Sequence, residues 1–143
     1  MVATMKPNKK QRQTIFDKSD GHCWYCGCGL PVKGWHADHV EPIRRYKDFR
    51  ITEERVEHFE NCDSPHLDTL ENMVPACRKC NLFKGVFSVE EFRREISKQV
   101  TRSRDYSVNF RTAERFGLIE IVDKPVLFWF EKNDKVSAIE DEG

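Results

Sequence analysis

The sequence predicts an α+β domain built around a metal knuckle, and three observations carry that expectation. Cys23-Trp24-Tyr25-Cys26 and Cys77-Arg78-Lys79-Cys80 are two thiol pairs, each with the two-residue gap that presents both sulfurs to one tetrahedral ion. Short stretches at 35–40 and 73–76 have the length of strands rather than helices. Capping residues at Asn8 and Ser88 each precede a helical pattern.

At 143 residues the chain fits one domain, 1–143, since domains commonly run to about 100–150 residues. Its 34% charged and 38% hydrophobic content leaves a modest core, which a bound metal would help to hold. No apolar run nears the ~20 residues of a membrane span, and the N-terminus lacks the apolar stretch of a signal peptide. The expected location is the cytoplasm, bacterial or of a phage-infected host. There the six cysteines read as metal ligands rather than disulfides.

The formal net charge of zero conceals a block pattern. Residues 1–50 carry +5, 51–75 carry −6, 76–117 carry +5 and 118–143 carry −4. Both positive blocks hold a cysteine pair, which suits a polyanion at the centre with acidic segments facing away. Charge alone fits solvated faces equally well.

In chain order, 1–20 form a basic arm. Residues 1–7 are expected to be unstructured, and Asn8 caps a helix over Lys9–Lys18 that turns Ile15 and Phe16 inward and ends at Gly21. The core spans 21–86. Gly27 and Gly29 let the first knuckle turn back, and a strand at Trp35–Val40 delivers Asp38 and His39. Residues 46–70 read as an insertion, with Thr52 capping a helix over Glu53–Asn61. Met73–Ala76 is a second strand and Arg78–Lys84 a helix. Over 87–131, Ser88-Val89-Glu90-Glu91 launches a helix with Val89, Phe92, Ile96 and Val100 on one face. A C-terminal β-hairpin, Leu118–Val122 with Val126–Phe130, follows, and 132–143 form a charged, mobile tail.

Cys23, Cys26, Cys77 and Cys80 are the expected ligands of a structural Zn²⁺, because four thiolates close the coordination sphere. Fifty residues separate the pairs, so the ion would clasp the two ends of an inserted unit. Cys28 spaces badly with either pair and reads as a spare thiol. His58, Cys62 and His66 sit four apart, but Pro65 interrupts any helix that would align them as a second site.

Asp38 beside His39 puts a hard oxygen ligand next to an imidazole, and a strand end can send the two to opposite sides. Asn81 directly follows the last cysteine, so the zinc fixes its position. His36 has no assignable role and reads as a packed, hydrogen-bonded strand residue.

These residues carry a resemblance. Asp38-His39-Val40-x-Pro42, then Glu71-Asn72-Met73-Val74-Pro75, then Cys77-x-x-Cys80-Asn81-x-x-Lys84 resembles the HNH endonuclease family, over residues 23 to about 85. The ending is similar, more weakly, to small phage and prophage members. The resemblance implies a ββα-metal core, with His39 as general base and Asp38 and Asn81 holding one Mg²⁺, Mn²⁺ or similar ion on the scissile phosphate. It also implies that Asn72 pins His39 and its loop by hydrogen bonds. The last motif position, often histidine in the family, is here Asn81, and the 46–70 segment is longer than in the shortest members.

The chemistry stands beside that resemblance. Phosphodiester hydrolysis needs an in-line water, relief of charge on the phosphate and help for the leaving 3′ oxygen. An imidazole with the ordinary pKa near ~6.5 can take the water's proton at neutral pH. Lys84, Arg44, Arg45 and Lys79 are near enough in sequence to meet phosphates. The expected partner is double-stranded DNA, cut or nicked, with RNA sharing the same site chemistry. The alternative is a non-catalytic, zinc-dependent nucleic-acid-binding module, which has no use for Asp38, His39 or Asn81. A homodimer, if formed, is expected to meet through the apolar Leu127–Phe130 strand.

Overall fold

Asn8 opens the first helix of the computed structural model, which describes residues 4–133 and 135. Residues 1–3 and most of the 132–143 tail lie outside the described residues. The Asn8 side chain accepts from Gln11 N, and Gln11 accepts in return from Asn8 N, a capping box that starts α1 (Lys9–Asp17). The helix buries Ile15 against Trp35 and Met73. Just past its end, the Lys18 ammonium donates to the carbonyls of Leu70 and Met73, each at 2.6 Å. Burial lowers that lysine's pKa, opposed by Glu71, and the bond pins α1 to the centre of the molecule.

The knuckle that follows is a tight loop closed by Cys23 N donating to Cys28 O at 2.8 Å. Gly27 sits at φ +79°, and a Cβ there would lie 2.6 Å from Trp129 Cδ1. Both the backbone conformation and the packed indole demand glycine.

Four strands make two separate antiparallel pairs: β1 (His36–His39), β2 (Arg45–Ile51), β3 (Val56–Cys62) and β4 (Met73–Ala76). β1 lies on β4 with His36 opposite Ala76 and His39 opposite Met73. β4 is buried along its length and leads into α2 (Arg78–Lys84), which packs on β1. The two short strands and the helix expected at 35–40, 73–76 and 78–84 are therefore present, within two residues at each end.

The 46–70 segment differs from expectation. No helix covers Glu53–Asn61; β2 and β3 form a hairpin instead, with Arg45 opposite Cys62 and Ile51 opposite Val56. Val56-Glu57-His58-Phe59-Glu60-Asn61-Cys62 alternates with a period of two, and that pattern wins over the helical one. Thr52 closes the turn, bonding Arg55 through backbone and hydroxyl, rather than capping a helix.

Ser88 accepts from Glu91 N and starts α3 (Val89–Ser97), with Phe92 buried and Val89 and Ile96 packed beside it. Val100 escapes this face because the chain breaks at Lys98 and restarts as α4 (Gln99–Tyr106), followed by α5 (Val108–Arg115). The C-terminal hairpin does not form. Residues 119–128 take no regular structure, and α6 (Trp129–Lys132) occupies the place of the second strand's end. Backbone donors explain why: Trp129 N and Phe130 N bond Tyr25 O and Trp24 O of the knuckle, not residues 118–122. Phe128 is buried with Tyr25 and Phe92 in an aromatic cluster, so this segment helps complete the chain's own core, while Leu127 beside it stays exposed. Among the described residues, no helix is long and apolar enough to cross a membrane.

Candidate metal centre and polar cavity

The two cysteine pairs converge. The Sγ atoms of Cys23, Cys26, Cys77 and Cys80 all lie within 4.8 Å of one another, and Cys26 and Cys77 are 3.8 Å apart. A tetrahedral zinc with Zn–S bonds of ~2.3 Å requires sulfur separations of about 3.8 Å, so the donor set fits that ion. Backbone donors support the sulfurs: Cys77 N points at Cys23 Sγ at 3.3 Å, and Cys80 N at Cys77 Sγ at 3.4 Å. Crowding splits the thiols. A hydrogen bond from Cys80 pulls Cys23 down to about 4, against burial, while the same bond and burial push Cys80 up. A cation among them removes that conflict by favouring all four thiolates. Cys28 is exposed beside the cluster and outside it; His58, Cys62 and His66 form no cluster among the described residues.

Behind β1 lies a buried charge pair. The Asp38 carboxylate, 6% exposed, accepts from Tyr25 Oη at 2.6 Å and faces Lys84 Nζ at 3.3 Å, both at Oδ2. Burial raises the Asp38 pKa, countered by Lys84 and by Tyr25. Burial and the neighbouring carboxylate push Tyr25 well up, so it stays a donor. Lys84 also donates to His39 O at 2.8 Å. It is 1% exposed, so its ammonium faces Asp38 and the end of β1 rather than the solvent side from which a phosphate contact was expected.

His39 meets a partner that the sequence did not reveal. Its Nε2 lies 2.8 Å from Asp68 Oδ1, a carboxylate 6% exposed. A carboxylate at Nε2 keeps the proton there and leaves Nδ1 as the basic nitrogen. Asp68 follows a 3₁₀ turn (Pro65–Leu67), and no motif marks it. Asn72 accepts from Glu41 N at 3.0 Å and donates to Glu41 O and Leu67 O, while its own carbonyl takes Val40 N. It thus ties the loop after His39 to the segment carrying Asp68.

Asp38, His39 and Asn81 line one cavity of about 380 Å³, together with His36, Arg12 and Arg45. Of the residues expected to meet phosphate, Arg45 lines this cavity, while Arg44 and Lys79 are exposed but outside it. Asp38 Oδ2 is occupied, which leaves Oδ1, with the Asn81 amide, as the oxygen donors for a hard cation. A larger groove of about 600 Å³, between α3, α4 and residues 121–127, contains no histidine or cysteine. No family model, curated protein or solved structure matches the chain.

Proposed function

We propose that this chain is a divalent-cation-dependent DNA endonuclease of the HNH type, with a zinc-braced ββα-metal core. The observation that supports it most is the convergence of Asp38, His39 and Asn81 on one cavity, with His39 backed by Asp68. In this reading His39 Nδ1 takes a proton from water as the water oxygen attacks phosphorus and the bond to the 3′ oxygen breaks. Asp68 steadies the imidazolium that results, as a carboxylate does in other base–orienter pairs. A cation held by Asp38 and Asn81 would neutralise charge on the phosphate and on the departing oxygen. Lys84 and Tyr25 keep Asp38 in place, and zinc at the four cysteines fixes the start of α2 and so Asn81.

A plasmid-relaxation assay with Mg²⁺ or Mn²⁺ tests the reading. Zinc-loaded protein is expected to nick or linearise DNA, and His39→Ala to abolish this with zinc content and melting temperature nearly unchanged. If folded, zinc-loaded protein leaves every DNA intact, as a non-catalytic nucleic-acid-binding module would, the reading fails.

A further inference from the structure

The cavity around His39 does not end at its own rim. A second groove of about 400 Å³ adjoins it, and the two share Arg12 and Trp35 as a common wall. Lys9, Arg12, Gln13 and Phe16 line this groove from α1, spaced i, i+3, i+4 and i+7 on one helix face. Lys33 faces them from the loop before β1, and no carboxylate lines the groove. On the cavity side Lys6 and Arg45 join the wall, and Asp38 is the one carboxylate there.

Five cations thus follow one path across both hollows. Among the described residues none of the five forms a salt bridge, whereas Arg50, Arg55, Arg93, Lys98, Arg102 and Arg104 are all paired with glutamates. Arg12 is also held in place: its guanidinium lies 4.0 Å over the Trp35 ring and donates to Trp35 O at 3.2 Å. Pinned on one side, it keeps its remaining donors for an anion without further ordering cost.

Resting on the nuclease reading, we propose that one strand of duplex DNA runs from the His39 cavity along this groove. Lys9, Arg12 and Lys33 take the phosphates flanking the scissile one, and Lys6 and Arg45 take those beside it. The nine residues of α1 span about 13 Å, the axial rise of about four nucleotides of one strand. The contacts go to backbone phosphate, so they position the strand without reading its bases.

The test is the salt dependence of binding to a labelled 20-base-pair duplex, measured by fluorescence anisotropy without added Mg²⁺ or Mn²⁺. Lys9→Gln/Lys33→Gln is expected to weaken binding and reduce the slope of log K against log salt by about 2, one charge-release step per lysine. The control, Arg94→Gln/Arg115→Gln, removes the same charge from exposed positions away from both grooves and is expected to leave the slope within about 0.5. Equal losses in both variants would mean that only bulk charge matters and would overturn the path. Binding by the lysine variant equal to wild type would overturn it too, while plasmid cutting by that variant would leave the nuclease reading standing. Wild-type protein that neither binds nor cuts DNA would remove both. The substituted lysines are exposed, and unchanged melting curves are expected to accompany the loss of binding.

Discussion

His39 and Asp68 stand 2.8 Å apart across 29 residues of sequence, and the bond joins the end of β1 to the loop before β4. Asp68→Asn replaces the carboxylate by an amide that can donate to Nε2, which moves the ring proton to Nδ1 and removes the free base. Asp68 also accepts from Met5 N, a contact that asparagine can keep through its oxygen. The expected outcome is a loss of about 10²-fold or more in nicking rate with little change in melting temperature, within the ~10²–10⁴-fold that a general base supplies. A full rate in Asp68→Asn, with His39→Ala inactive, would show that the carboxylate does not set the tautomer.

How much of this was legible in the chain depended on the range of the signal. The cysteine pairs, the two short strands and α2 carry spacing and caps within a few residues, and all are found where expected. The hairpin at 45–62 was hidden by Thr52, a residue that both caps helices and closes turns. Asp68 and Tyr25 serve the site through contacts 29 and 13 residues distant, and no local pattern announces either. Lys84 misled for the opposite reason. A lysine after a helical turn looks exposed, and only the fold shows it buried against Asp38.

The thiolate clasp predicts the protein's dependence on zinc. Elemental analysis is expected to find one zinc per chain, and Cys80→Ser or a strong chelator to destroy the cooperative melt. Structural zinc contributes about 10–16 kcal/mol of apparent binding free energy in small domains, more than the stability of most folds. Here the clasp joins the knuckle to β4 and α2, so its loss frees the core that Tyr25 and Val74 share. A metal-free protein with an unchanged near-ultraviolet spectrum would count against a structural role.

Lys84 and Asp38 are both almost fully buried, so removing one leaves the other without the opposite charge that faces it. Lys84→Met is expected to cost about 3–5 kcal/mol, read from denaturant unfolding. The double variant Lys84→Met/Asp38→Asn is expected to recover much of that loss, because no charge remains buried. Were the double variant worse by the full amount of both single changes, the pair would not be acting as a unit.

Acid is expected to loosen the C-terminal segment before the rest of the fold. Arg93 holds Glu131 at 2.7 Å, donates to Val126 O and lies over the Phe128 ring. The hydrogen bond from Arg93 is the main cause of the lowered Glu131 pKa. A lowered folded-state pKa means that the contribution is complete above the unfolded value near 4.5 and disappears as pH falls through the folded one. Trp129 fluorescence should therefore change on acidification below about pH 4.5, ahead of global unfolding. Glu131→Gln should abolish that early step, and an identical acid transition in the variant would place the cause elsewhere.

The β2–β3 hairpin offers the last prediction. Its strands pair with each other along their whole length, and Phe49, Ile51 and Val56 at the far end remain exposed at 59%, 76% and 50%. Only its base reaches the site, through Arg45 on the cavity wall and buried Cys62 opposite it. An isolated two-stranded ribbon adds little stability to the body that carries it. Replacing residues 47–60 with a short Asn-Gly turn should thus preserve zinc binding and change the melting temperature by only a few degrees. Nicking should persist as well, because Asp38, His39, Asp68, Asn72 and Asn81 all lie outside the deleted stretch. If cutting disappears while zinc content and fold are retained, the ribbon itself must contact the substrate, and the strand path along α1 would be incomplete.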